Sequence, residues 1–136
     1  MRNEMKALSV RQPWAWAIIY GGTDIENRSA NMAQRVRSAI GQTIYIHAGK
    51  TIDMGGMEAT EDMGLLGKLE EFLARGNNME EMNGGVIGTV RIVDVVKQHR
   101  SKWVKGPFGI VLADPKPIKF QPGPGQLGFF NWTPSK

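Results

Sequence analysis

The stretch "VIGTVRIVDVV" (86–96) constrains this chain more than any other. Its β-branched side chains are stiff at χ1 and fill a pleated surface better than a helical one, so it predicts a strand, and a long one. Gly88 inside the run reads as a bulge. A strand of that length carries a row of N–H and C=O groups on both edges, and the chain must supply partners for them. The candidates are "KALSV" (6–10), "DIENR" (24–28), "TIYIHA" (43–48), "FGIVLAD" (108–114), "PIKF" (117–120) and "LGFFNW" (127–132). In "TIYIHA", Ile44 and Ile46 alternate with Tyr45 and His47, the period of a half-buried strand. Asp114-Pro115 is read as a stop that leaves "PIKF" a separate edge piece. "GKTIDMGGM" and "QPGPGQ" read as loop and turn by their glycines and prolines, and "NNMEEMNGG" as a turn region. The stretch 31–42, with Arg35 and Arg37, has no clean period and is expected to be a loop or a single turn.

Two segments have helical character. "WAWAIIY" (14–20) follows Pro13, which suits the first position of a helix, and is apolar nearly all round, so a short buried helix is expected. Gly21-Gly22 would end it. Leu65, Leu69, Phe72 and Leu73 follow i, i+4, i+7, i+8 and predict an amphipathic helix that stops at Gly76, with Gly64 and Gly67 weakening its start. About six short strands with one buried and one amphipathic helix predict an α+β chain. The expected architecture is a small mixed β-barrel with helices packed at its ends. At 136 residues the chain is expected to form one domain, 1–136, with a single core.

Composition narrows the function. No apolar run approaches the ~20 residues that cross a bilayer, and "MRNEMKALSV" has no signal-peptide core, so no membrane partner is expected. There is no cysteine. Disulfides, thiol catalysis and cysteine-based zinc sites are excluded, and a cytoplasmic location is the expectation. Seventeen basic against thirteen acidic residues leave a net charge of +4, a mild excess compatible with a phosphate-bearing partner. The charge is segregated. Glu58, Glu61, Asp62, Glu70, Glu71, Glu80 and Glu81 crowd one region with only Lys68 and Arg75, whereas Lys97, Arg100, Lys102, Lys105, Lys116 and Lys119 face Asp114 alone. A basic and an acidic face are expected.

The candidate site begins at "GGTDIENR" (21–28). A glycine pair lets the backbone turn sharply out of the helix, and Glu26 and Arg28, two apart on an extended segment, project to one face. An arginine fork suits phosphate or a guanine edge, and a carboxylate accepts from base amino groups. The same pair could equally be an ion pair bracing the turn. Arg11 and Gln12, where the first strand meets the helix, could hold a phosphate and a base edge; alternatively Gln12 caps the helix and Arg11 is solvated. Of Trp14 and Trp16 at least one is core, and Trp14, nearer Arg11, is the candidate to stack a base. His47 and Lys50 in "IHAGK" are rim candidates, with a structural role for His47 as the alternative. In "KQHRSKWVKGPF", Lys102 and Lys105 surround Trp103, charge for a backbone and a ring for a base, or else a solvated loop with a tucked indole. His47 and His99 lack ligand spacing, so no metal is expected, and no motif calls for a cofactor. No nucleophile elbow, P-loop lysine or dinucleotide fingerprint is present.

The motifs "ALSVRQPWAWAII-GG-DIENR", "IYIHAGK", "GGVIGTVRIVDVV", "GPFGIVLAD" and "GQLGFFNW" resemble, in that order, the ASCH (activating signal cointegrator homology) domain of the PUA-like superfamily, over about residues 7–134. The resemblance implies a mixed β-barrel with a cleft between the first helix and the barrel that holds RNA or another nucleic acid. The family's hallmark, Gly-x-Lys-x-x-Glu-x-Arg, is matched by Gly21, Glu26 and Arg28, but Thr23 stands at the lysine position. Small relatives resemble amidohydrolases acting on acetylated cytidine and use that lysine, so their chemistry does not carry over directly. Relatives also often place a tryptophan soon after the arginine, where this chain has Ala30. The resulting expectation is a nucleic-acid-binding module, most simply for RNA, using Arg11, Gln12, Trp14, Glu26, Arg28, His47, Lys50, Lys102, Trp103 and Lys105. The alternative is a nucleoside amidohydrolase or ribonuclease working without the lysine, with Glu26 as acid or base and His47 or Lys50 assisting. A third is a protein-interaction domain built on the central helix.

Overall fold

The computed structural model describes residues 5–53, 55, 64–97, 108–126 and 128–133. Strand β1 (Met5–Gln12) leads into helix α1 (Trp14–Ile19), strand β2 (Ile25–Arg28), helix α2 (Ala30–Arg37) and strand β3 (Thr43–Ile52). Helix α3 (Leu66–Ala74) and a 3-10 turn (Met79–Met82) precede β4 (Gly85–Val96), β5 (Phe108–Pro122) and β6 (Phe129–Trp132). The six strands form one sheet in the order β2-β5-β4-β3-β1-β6. Every neighbouring pair is antiparallel except β1 and β3, which run parallel. The segment α1-β2-α2 is the crossover that this parallel pair requires.

The apolar alternation explains which face is inside. Leu8, Val10, Ile44, Ile46, Ile87, Val90, Ile92 and Ile110 form one buried cluster with Ile18 and Ile19 of α1 and Ala33 and Val36 of α2. Each such aliphatic side chain contributes about 1.5–3 kcal/mol when fully buried, so this face anchors the fold. On the opposite face Ala7, Val86, Phe130 and Trp132 make a smaller cluster with Tyr45 and Ile118. Gly88 is the predicted bulge: β4 shifts register against β5 between Val86 and Gly88. It also marks a close approach, since a Cβ there would lie 2.6 Å from the Lys116 carbonyl oxygen and 2.7 Å from Cδ1 of Ile19.

Besides β3, which runs on through Ile52 into the stretch expected as a loop, four expectations need correction. The sheet is α+β and mixed, but it is not closed into a barrel, because the edge strands β2 and β6 share no ladder. Both are only four residues long, and α2, which follows β2 directly, packs against β4, β5 and β6 instead. The second correction is α2 itself, expected as a loop. Ser29 caps it, its side chain accepting from the Met32 amide at 3.4 Å, and Arg35 and Arg37 suit the negative end of its dipole. Only Ala33 and Val36 are buried along it, too few to register as a period.

Third, Asp114-Pro115 does not end a strand. β5 runs through it to Pro122 with Asp114 in the left-handed region at φ 53. β2 pairs only with Phe108–Val111, so beyond that point one edge of β5 is open and prolines are tolerated there. Last, α3 covers α1 rather than the sheet. Phe72 packs edge-on to Trp16 at 6.0 Å and against Tyr20 at 5.1 Å, and Leu65, Phe72 and Met79 cluster with Trp16 and Ala17. Leu73, one residue further round, is half exposed.

Candidate functional site

The register of β2 on β5 sets the site. Glu26 lies opposite Ile110 and Arg28 opposite Phe108, both of which pack in the main core, so Glu26 and Arg28 project onto the face of that core. There they pair: Nε and Nη2 of Arg28 reach the same carboxylate oxygen of Glu26 at 3.1 and 2.8 Å. Nη2 also donates to the main-chain carbonyl of Ser9 on β1. Burial pushes the Glu26 carboxyl above its ordinary range; Arg28 and the Asn27 N–H pull it down without cancelling that rise.

Gln12 points into the same interior. It is fully buried, and its Oε1 accepts from the Trp16 amide at 2.9 Å, so it caps α1. That bond fixes which end of the amide is nitrogen, and Nε2 is left buried with no partner among the described residues. A buried amide donor without an acceptor costs about 1–3 kcal/mol, so its retention calls for an explanation. Strand directions bring it toward Glu26. β1 and β2 run in opposite senses across the ladders, so from the Arg28–Ser9 contact, stepping back to Glu26 and forward to Gln12 leads to the same end of the sheet, where α1 sits.

Arg11 is exposed while Gln12 is buried, so that pair is split between solvent and interior. Trp16 is the core indole; Trp14 is half-buried, and its Nε1 donates to Oδ2 of Asp53 at 3.1 Å. His47 lies on the other face of the sheet, edge-on to Phe130 at 5.8 Å. Its Nε2 lies 2.8 Å from the Gly123 carbonyl, which can only accept, so the proton is on Nε2 and the buried Nδ1 lacks a partner among the described residues. His47 therefore pins the segment 121–126 and does not join Glu26. Lys50 is exposed, its stem passing over Gly84, where a Cβ would lie 3.1 Å from its Cε. Lys102, Trp103 and Lys105 lie outside the described residues.

Sequence reasoning missed two features. Lys68 of α3, grouped with the acidic helix, donates from Nζ to the Gly21 carbonyl at 3.1 Å and so stands against the glycine hinge. Thr23, just past the glycine pair, is buried. It helps line a mainly apolar hollow of about 220 Å³ with Ile18, Asp24, Val90, Leu112 and Pro115. Neither has a local sequence signal: both depend on how α1, α3 and the β4–β5 pair come together.

No protein-family model matches the chain, and no curated protein matches it. The described residues contain no group of His, Asp and Glu side chains that could hold a metal ion, and no helix long and apolar enough to cross a membrane.

Proposed function

We propose that this chain is a nucleic-acid-binding module of the ASCH, PUA-like type, taking a nucleotide of RNA at the end of the sheet beneath α1. The observation that carries this reading is the buried, unpartnered Nε2 of Gln12, a residue at the end of the sheet that also holds the Glu26 carboxyl. A donor and an acceptor held rigidly in a low-dielectric setting can match a base edge, and an orphan donor is satisfied when a base carbonyl or ring nitrogen arrives. Arg28 orients Glu26 and is only partly exposed, so its role is to position the carboxylate. Trp14, half-buried and held by Asp53, is the ring nearest the site in sequence for stacking.

Fluorescence anisotropy against short single-stranded RNA, single-stranded DNA and duplex DNA at two salt concentrations tests the reading. Gln12→Met keeps the side-chain volume and removes the donor. It also removes the Oε1 acceptor of the Trp16 amide, so Tm should fall, and RNA binding should weaken at a temperature where circular dichroism shows both proteins folded. Unchanged affinity in that variant would exclude Gln12 from recognition.

One observation favours a catalytic role at the same place: burial raises the Glu26 carboxyl above its ordinary range, so it holds a proton that it could donate to a higher pH than a solvated glutamate would. An amidohydrolase or ribonuclease reading would then rest on Glu26 without His47. Turnover of a modified nucleoside or RNA that survives Glu26→Gln would eliminate it.

A further inference from the structure

We propose that the seam of the open sheet carries a second contact surface for the phosphate backbone of single-stranded RNA, made by Lys6 and Arg35, with Arg28 tying it to Glu26. The proposal rests on the nucleic-acid reading above and extends it from the base to the backbone. The three cations meet around the start of β6. Ser9 donates its amide to the Gly128 carbonyl at 2.8 Å and accepts at its own carbonyl from Arg28. Arg35 of α2 donates from Nη2 to the Phe129 carbonyl at 2.5 Å, and a Cβ on Gly128 would lie 3.3 Å from its Nη1. Lys6 on β1 holds its ammonium 5.7 Å from the centre of the Phe129 ring.

Charge complementarity chooses the occupant. From residue 27 to residue 52 the chain has no acid, yet contains Arg28, Arg35, Arg37 and Lys50. Among the described residues the ion pairs are Glu26–Arg28, Glu71–Arg75 and Asp114–Arg91, so Lys6 and Arg35 have no carboxylate partner there. Both are exposed. Arg35 uses one nitrogen on Phe129 and keeps the others of its fork for an incoming oxygen. Arg28 connects the two parts, since it grips Glu26 on the core face and Ser9 at the seam. A strand whose base enters beneath α1 would run its phosphates out along this seam.

Anisotropy with a fluorescein-labelled single-stranded RNA of mixed sequence, over a salt series, tests the surface. Removing two phosphate contacts from a single strand lowers the slope of log affinity against log salt by about 1.4, at about 0.7 each. Lys6→Ala/Arg35→Ala should show that decrease while keeping the base preference of the wild type. Because Arg35 also braces Phe129, a second variant is needed. Asn31→Glu, on the exposed side of α2, places an acid beside the track and should weaken binding at low salt but not at high salt. If wild type binds and both variants keep its slope and affinity, the seam surface is overturned and the base site stands. If wild type binds no RNA, the nucleic-acid reading falls and the seam proposal falls with it. Binding to phosphatidylglycerol vesicles in place of RNA would likewise overturn it.

Discussion

Arg28 on β2 donates to the carbonyl of Ser9 on β1, although these two strands share no ladder. A side chain does at this seam what a row of main-chain bonds does in a closed barrel. It also anchors the carboxylate of Glu26, so one guanidinium ties the shape of the sheet to the chemistry of its interior.

Removing that guanidinium leaves a largely buried carboxylate alone. Arg28→Ala is therefore expected to destabilise by about 3 kcal/mol, the range for breaking a buried pair, with Arg28→Lys recovering only part because an ammonium cannot span both acceptors. In a Glu26→Gln background the same change should cost clearly less, because no charge is left uncompensated. Chemical denaturation of the five proteins checks this; equal costs in both backgrounds would remove the ion pair from the explanation.

The raised Glu26 carboxyl has a pH signature. The folded state holds its proton at pH values where the unfolded chain, near the ordinary value of 4.5, has lost it. Stability from this group is thus greatest at low pH and falls as pH rises through the window above 4.5. Measured against Glu26→Gln, in which the other titrating groups are shared, wild type should lose stability as pH increases from 4.5 toward neutral. A wild type that gains on the variant over that range would reverse the assignment.

Gly125 tests the role of His47. A Cβ there would stand 2.5 Å from Cε1 of the imidazole, which cannot withdraw because its far edge packs on Phe130. Gly125→Ala is expected to cost about 1–3 kcal/mol, the range for overpacking a filled site, without altering RNA affinity. Thermal unfolding alongside anisotropy separates the two, and a loss of affinity at unchanged Tm would return His47 to the binding site.

Lys68 offers a fourth check. Its ammonium satisfies the Gly21 carbonyl at the end of α1, a position where cations are favoured. Lys68→Met should lower stability by about 1 kcal/mol and raise hydrogen exchange at the amides of Gly21 and Thr23, both bonded to the Ala17 carbonyl. Unchanged exchange would mean that α3 docks through Phe72 and Leu65 alone.

The parts of this fold that were legible in the sequence are those set by local periodicity. Ile44 and Ile46 alternate, Leu65, Leu69 and Phe72 recur at helical spacing, Gly88 interrupts a β-branched run, and Gly76 at φ 86 ends α3. These features depend on neighbours a few residues away, so the chain carries them on its own. The site was half legible: Glu26 and Arg28 share a face because strands alternate, and the sequence alone determines that.

What the tertiary structure decided is everything that depends on distant contacts. α2 has a weak apolar stripe and exists as a helix because it packs against β4, β5 and β6. β5 continues past Asp114-Pro115 because β2 is too short to claim its outer edge there. Arg11 and Gln12 are adjacent in sequence yet end on opposite sides of the solvent boundary, and His47 is drawn to Gly123 and away from Glu26. Sequence spacing sets the direction a side chain leaves the backbone; the buried partner it meets is chosen by the packing of elements far apart in the chain.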